Sequence, residues 1–266
     1  MADDAPPAPL PSQSANRRWR LWASAAVAGF TLVAVVIGFF VISSRGEGGV
    51  TGALGLDHVH DVQGAPTAAA VPGSLPTEVA WTAATLKLIA DGDGAAGRTL
   101  ALRSCAGCHG ETGIAVAAAF PNLAGQPRTA IFKQLRDYAS GHRASPIMVA
   151  VAQGLSEVDM ADLAGHFAAE TPATTVGAAD APAAIVELAL NGDTARGLPP
   201  CSSCHSARGG PVGTPPIAGQ PAAYLEQQLI AFAAGTRTND IYGLMRVVAA
   251  MLTPAEVTAL AAYYGN

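Results

Sequence analysis

Two copies of one five-residue motif bring most of this chain's reactive side chains together. The first reads CAGCH at residues 105–109, and the second reads CSSCH at residues 201–205. C-x-x-C-H is typical of covalent attachment of c-type haem, because thiols at the first and fourth positions face one side of a helical turn and reach both vinyl groups. The following histidine is then the proximal iron ligand. The residues concerned are Cys105, Cys108 and His109 in the first copy and Cys201, Cys204 and His205 in the second.

Other uses of such a motif are half of a zinc site or a redox dithiol. A structural zinc site requires four ligands, with a second Cys or His pair at a familiar spacing. The chain contains only 4 cysteines, and the two motifs use all of them. The arithmetic therefore predicts two covalently bound haems c. Because haem is fitted to thiols after export, it also predicts a location outside the cytosol.

A methionine in each repeat is the candidate sixth ligand of the iron. Met148 follows His109 at almost the same spacing as Met245 follows His205. Each also precedes, by the same interval, the leucine that opens the last helix of its repeat. A methionine is often only core filler, but the matched positions favour ligands. Met/His ligation raises the reduction potential and fills the iron, which favours electron transfer over catalysis.

Two further histidines are rival ligands in the first repeat. His142 and His166 have no histidine at the corresponding positions of the second repeat. We therefore assign them surface or packing roles.

A proline follows each motif at a similar, short distance along the chain. Pro121 comes after His109, and Pro215 comes after His205. A carbonyl at this place would accept the second imidazole N–H and fix the orientation and basicity of the ligand. The alternative is an ordinary turn proline.

Composition excludes some classes of partner. Only 13% of the residues are charged, the net charge is −5, and there is no Lys/Arg-rich run. The sequence therefore lacks the basic surface that nucleic-acid binding requires.

The N-terminal part of the chain predicts a membrane anchor. Residues 1–20 are polar and end in three arginines, whereas residues 21–43 carry no charge. Such a run crosses a hydrocarbon core of about 30 Å, and the arginines place residues 1–20 in the cytosol. The prediction is a single-pass protein of the bacterial inner membrane with its haem domains in the periplasm. A cleaved signal peptide is the alternative. Residues 44–80 are rich in Gly, Ala and Pro and predict a flexible linker.

From residue 81 the chain repeats itself, which predicts domains at 81–176 and 177–266. The segment at residues 121–127 recurs at 215–221, and an amphipathic helix follows each copy. These helices run into Gly141 and Gly235, and a capped helix closes each repeat. Strand signals of comparable strength are missing, so we predict an all-α fold.

These motifs resemble the cytochrome c4 family of tandem class I cytochromes c. The resemblance covers about residues 90–266 and rests on both C-x-x-C-H motifs, both P-x-[LI]-A-G-Q segments and the two methionines. It implies two haem domains related by a pseudo-twofold axis, with iron ligands His109 and Met148, and His205 and Met245. It also implies electron transfer from a quinol-oxidising complex or dehydrogenase towards a terminal oxidase.

The resulting functional prediction is a membrane-anchored diheme electron carrier. A fixed cytochrome subunit of a dehydrogenase or oxidase is the first alternative. A diheme peroxidase or a haem oxidoreductase acting on sulfur compounds is the second, and two intact methionine sites argue against it. Arg143 and Arg237 are candidates to pair with haem propionates between the domains, with ordinary surface arginines as the alternative.

Overall fold

Short helices separated by proline and glycine make up the part of the chain that the structure describes. The computed structural model describes residues 76–173, 180–206 and 210–265. The predicted cytosolic segment, the membrane anchor at 21–43, the linker up to residue 75 and the boundary between residues 176 and 177 lie outside these residues.

The described residues of the first repeat form six helices. They are α1 (Ala83–Asp91), α2 (Gly94–Ser104), α3 (Ala106–His109), α4 (Arg128–Ala139), α5 (Pro146–Gln153) and α6 (Glu157–Ala169). The second repeat contains α7 (Ala183–Asn191), α8 (Cys201–His205), α9 (Ala222–Ala233), a 3₁₀ turn (Ile241–Gly243), α10 (Leu244–Ala250) and α11 (Pro254–Tyr264). Within the described residues, the only β-pairing is two isolated bridges. The mostly helical fold agrees with the prediction.

Local sequence explains where several helices begin and end. Ser156 and Thr253 each form a capping box, at the starts of α6 and α11. Such boxes satisfy two orphan N–H groups at a helix start. After α4 and α9 the chain passes through Gly141 and Gly235, whose φ angles of 79° and 68° suit glycine.

The core of the first repeat forms where α2 crosses α6. A side chain at Gly97 would place its Cβ 2.0 Å from the carbonyl oxygen of Asp162, so this close crossing requires glycine. Around it, Ile89, Phe132, Leu163 and Phe167 are almost fully buried. Because α3 follows α2 directly, this core fixes the first C-x-x-C-H turn.

Among its described residues, the second repeat lacks a counterpart of α2. Its segment between Asp193 and Cys201 is shorter than the matching segment of the first repeat, between Asp93 and Cys105. Here the chain turns sharply instead, and an antiparallel bridge joins Asp193 to Leu198. The second core is accordingly small, with Leu188 and Leu260 among its buried residues. The two repeats are therefore less alike than their motifs suggest.

The two repeats pack against each other within one compact unit, Pro66–Asn266. Residues in the predicted linker are already part of this packing. Val79 is buried in the first core, and the Thr77 hydroxyl donates a hydrogen bond to the Asp137 carboxylate. A side chain at Gly213 of the second repeat would place its Cβ 2.7 Å from the Trp81 ring, so the chain passes close to that ring. Thr77 and Val79 are thus already packed, although the linker was predicted to extend to residue 80.

Among the described helices, no single one is long and apolar enough to cross a membrane. One pair of segments, Ile241–Ala250 and Pro254–Tyr264, is long and apolar enough when taken together, but it is bent by 114°.

Candidate functional site

Each C-x-x-C-H motif forms one helical turn. Cys105 precedes α3, whereas Cys201 is the first residue of α8. This places the two thiols of each motif on one side of a turn that ends in the histidine. All four cysteines are half-buried, and none of them forms a disulfide. Each motif therefore brings two thiols and one imidazole together.

Both histidines are held by a backbone carbonyl through Nδ1. Nδ1 of His109 lies 2.9 Å from the Pro121 oxygen, and Nδ1 of His205 lies 2.7 Å from the Pro215 oxygen. Since a carbonyl only accepts, Nδ1 carries the proton in each ring, which leaves Nε2 as the nitrogen for a metal. The predicted role of the two prolines as acceptors thus has the required geometry.

Burial favours the neutral form of both imidazoles. It lowers the pKa of His109 and of His205, although the hydrogen bond to the proline carbonyl opposes this effect in each case. A metal binds the neutral ring, so this environment suits an iron ligand.

One thiol of each motif, that of Cys105 and that of Cys201, lies in surroundings that favour its neutral form. Burial raises the pKa of Cys105 to about 11 and also raises the pKa of Cys201. Zinc requires thiolates, and the described residues contain no group of three or more His, Cys, Asp or Glu side chains able to hold a metal. The donor set therefore fits covalently attached haem and disfavours the zinc alternative.

The two predicted methionines lie at equivalent places, each in the first turn of a short helix. Met148 is the third residue of α5, where its N–H is capped by Ser145 Oγ at 3.3 Å. Met245 is the second residue of α10, which follows the 3₁₀ turn. Both side chains are partly buried. Placement on a helix start was not evident from the sequence, which predicted only the spacing.

The rival histidines have local partners. Nδ1 of His142 lies 2.8 Å from the Ser140 hydroxyl. His166 is buried in α6, with Nδ1 3.5 Å from the Glu170 carboxylate. These contacts fit the predicted surface and packing roles.

Buried polar side chains join the two repeats, and we call this cluster the seam. Its members come from α4, from α9, from Arg143 and from residues 237–239. Arg143 donates to Gln134, Tyr224 and Gln228, while Arg237 donates to Gln228 and Asn239. Burial first, and Arg143 second, lower the pKa of Arg237 to about 10, so it remains cationic at neutral pH. Both arginines lie between the repeats, and their pairing with propionates stays a prediction.

An ion pair in the seam was missed by sequence reasoning. Lys133 and Asp137 are both buried and bonded to each other on α4. Lys133 also donates to the Asn239 carbonyl at 2.7 Å, and Asn239 Nδ2 donates to Asp137 at 2.7 Å. The i, i+4 spacing was the available signal, but on a helix it usually marks a solvated pair.

A second contact between the repeats involves the P-x-[LI]-A-G-Q segments. Gln220 accepts the Asn122 N–H at 2.9 Å and donates to the Asn122 carbonyl at 2.8 Å. Gln126 donates to the Pro216 carbonyl at 3.0 Å. In each segment the glutamine thus forms a hydrogen bond with the residue that follows the histidine-binding proline of the other repeat.

Known proteins are similar in sequence to this chain. The family model for cytochrome c matches residues 94–167 and 198–264. A thiosulfate dehydrogenase electron acceptor of Stutzerimonas stutzeri (strain A1501) is 41% identical over 177 residues, which cover 64% of this chain and 82% of that protein. Cytochrome c4 of Pseudomonas aeruginosa is 38% identical over 181 residues, or 65% of this chain and 88% of that protein.

A solved structure shows the same fold. The crystal structure of reduced recombinant cytochrome c4 from Pseudomonas stutzeri superposes with a TM-score of 0.58 at 34% identity, covering 65% of this chain and 97% of that one.

Geometry and similarity define one class of protein. Two helical repeats, each with a C-x-x-C-H turn, make a diheme c-type cytochrome with two covalently bound haems c. The chain belongs to the cytochrome c family, and it is cytochrome c4-like. When bound, each haem supplies one ferric/ferrous couple. The cytochrome c family match and the similarity to cytochrome c4 make this chain an electron-transfer protein and not an enzyme.

Proposed function

We propose that this protein is a membrane-anchored electron carrier that works on the periplasmic side of the bacterial inner membrane. Its irons are held by His109 and Met148 in the first repeat and by His205 and Met245 in the second. One observation supports this ligand set most strongly. Each imidazole donates from Nδ1 to a backbone carbonyl, which leaves Nε2 for iron, and a methionine lies at a matched helix start in each repeat. Two protein ligands per iron leave no position for a substrate, which suits transfer of electrons alone.

Respiratory complexes are the first class of partner. In this proposal a quinol-oxidising complex or a dehydrogenase donates the electrons, and a terminal oxidase accepts them. The similarity to cytochrome c4 supports this route. A fixed cytochrome subunit of such a complex is the alternative, since an anchored protein suits either arrangement.

A second candidate donor comes from a different relative. The Stutzerimonas stutzeri protein that is 41% identical is an electron acceptor of thiosulfate dehydrogenase. The corresponding proposal here is that a periplasmic enzyme oxidising a sulfur anion reduces the haems. In that case the chain would still be the acceptor and not the enzyme that performs the oxidation.

Reduction kinetics test the function and separate the two donors. Purified oxidised protein would be mixed with membranes plus quinol, or with a thiosulfate dehydrogenase plus thiosulfate. We expect reduction of both haems by one of these, with a rate that depends only mildly on ionic strength, because a net charge of −5 on 266 residues gives little long-range steering. Failure of both donors would contradict the proposal, and a steep salt dependence would show that electrostatic steering controls the encounter with the donor.

Fractionation tests the anchor. We expect the mature protein in the membrane fraction, with a sequenced N-terminus before residue 21, because the uncharged run at 21–43 is long enough to span a bilayer. Release by mild detergent without a companion complex would support a mobile carrier, and co-release with a complex would support a fixed subunit. A soluble protein that begins near residue 44 would show that the run is a cleaved signal.

A further inference from the structure

Hydrogen bonds from Gln220 and Gln126 join the two P-x-[LI]-A-G-Q segments, and we call this set of bonds the clamp. The clamp is complete in one direction only. Gln220 makes two hydrogen bonds to Asn122, one to its N–H and one to its carbonyl. Gln126 makes the matching bond to the Pro216 carbonyl, but its buried Oε1 has no partner among the described residues. The reason is chemical: the residue at position 216 is proline, which has no N–H to offer.

The complete half of this clamp acts on the peptide group that binds a histidine. The carbonyl of Pro121 and the N–H of Asn122 belong to one amide. Its oxygen accepts from His109 Nδ1 at 2.9 Å, while its N–H donates to Gln220 Oε1 at 2.9 Å. Hydrogen bonds in such a chain polarise one another, so donation by the N–H makes the oxygen a stronger acceptor.

In the second repeat the corresponding amide cannot be polarised in this way. The Pro215 carbonyl accepts from His205 Nδ1 at 2.7 Å, but the nitrogen of the same amide belongs to Pro216. The hydrogen bonds from the two imidazoles to the proline carbonyls both have ordinary lengths. The repeats therefore differ in what the amide behind the carbonyl can do: in the first it donates across the repeats, and in the second it has no proton to donate.

We propose that Gln220 is a positioning residue for the haem of the other repeat, lowering the reduction potential of the first haem through the Pro121–Asn122 amide. Gln126 has no equivalent effect on the second haem. The inference rests on the proposed role of His109 and His205 as proximal ligands. A stronger acceptor at Nδ1 makes the imidazole more basic, and a more electron-rich ligand stabilises the ferric state.

The site is well suited to such an effect because water is excluded. Asn122, Gln126 and Gln220 are each less than 9% exposed. Asn122 is held further by its own side chain, which donates to the Gly219 carbonyl at 2.6 Å and accepts from the Ala115 N–H at 2.8 Å. The amide is thus fixed between the repeats, and any change in their contact reaches the first histidine directly.

A matched pair of substitutions in the full-length protein tests the idea. Gln220→Leu and Gln126→Leu each remove a donor to a carbonyl across the interface, but only Gln220→Leu removes an acceptor for an amide N–H. In a spectroelectrochemical titration we expect Gln220→Leu to raise one of the two potentials and Gln126→Leu to raise neither. Equal shifts in the two variants would overturn the proposal, because they would report only a loosened interface.

A gain-of-contact variant provides an independent test. Pro216→Ala supplies the missing N–H beside the unpaired Gln126 Oε1, and we expect the potential of the second haem to fall. Adding Gln126→Leu to this variant should reverse that fall. A Pro216→Ala protein that folds, shows two haems and has unchanged potentials would contradict the proposal.

A spectroscopic readout locates the effect. In the diamagnetic reduced protein, the His109 Nδ1 proton should move upfield in Gln220→Leu, because its hydrogen bond weakens, while the His205 proton stays in place. Failure of the proposed proximal-ligand roles would look different: the unaltered protein would then lack the spectrum of two low-spin haems c. An intact haem spectrum with an unmoved Nδ1 proton would overturn this inference alone.

Discussion

Replacing Met148 by alanine is expected to remove about half of the methionine–iron charge-transfer absorbance of the oxidised protein, and Met245→Ala the other half. Each substitution should also lower the potential of the affected haem, since a thioether ligand raises it. Axial ligands span a range of roughly 0.8 V, so the shift should be a large, easily measured fraction of that range. Absorption and redox titration of the two variants provide the measurement.

The second repeat offers a control for this experiment. Met251 is a half-buried methionine that packs against the small second core, and it aligns with Gly154 and not with a methionine of the first repeat. Met251→Ala should leave the absorbance intact while costing some stability. Unchanged spectra in both the Met148 and Met245 variants would show that the ligand assignment is wrong.

Replacing Asp137 by asparagine should destabilise the protein by about 3–5 kcal/mol, the usual cost of removing one partner from a buried ion pair. Asp137 is fully buried and receives hydrogen bonds from Lys133, Asn239 and Thr77. Without the carboxylate, the Lys133 ammonium stays buried with a carbonyl as its partner. Denaturant unfolding followed by circular dichroism measures the change.

The pH dependence of this variant has a definite sign. Burial lowers the pKa of Lys133 from its ordinary 10.5, and Asp137 opposes that shift, so removing Asp137 lowers the pKa further. Between the lowered pKa and the ordinary one, the folded variant then binds fewer protons than the unfolded chain. Its stability should therefore rise with pH from the lowered pKa up to about 10.5.

An exposed pair of the same residue types supplies the control. Lys87 and Asp91 have the same i, i+4 spacing on α1, but their side chains are 75% and 59% exposed. Asp91→Asn should change stability by no more than about 0.5 kcal/mol. Similar losses in the two variants would mean that the seam pair contributes nothing beyond an ordinary surface contact.

Sequence was a good guide wherever the chemistry was local. The C-x-x-C-H turns, the capping boxes at Ser156 and Thr253 and the glycine stops at 141 and 235 depend on neighbouring residues, and the structure contains all of them. The proline carbonyls were predictable for a similar reason, because a short loop joins each of them to its histidine.

Contacts between the repeats were not predictable in this way. The bond from Asn239 to Asp137 joins residues that are far apart along the chain, and no period or spacing links the two. The interlocked glutamines were visible as a repeated Gly-Gln, but their partners depend on how the two repeats face each other. The shortened segment before Cys201 did indicate that the second repeat differs from the first. Only the bridge at Asp193 shows that a turn stands there in place of a helix corresponding to α2.

The hydrogen bond between Thr77 and Asp137 also has a mechanical meaning. A pull on the chain from before residue 76 enters the haem-bearing unit at this bond, and Asp137 passes it to Asn239 in the second repeat. The applied force is then shared between the two repeats and does not act on one terminal helix alone. A force applied from the N-terminal side would therefore be expected to load both repeats together.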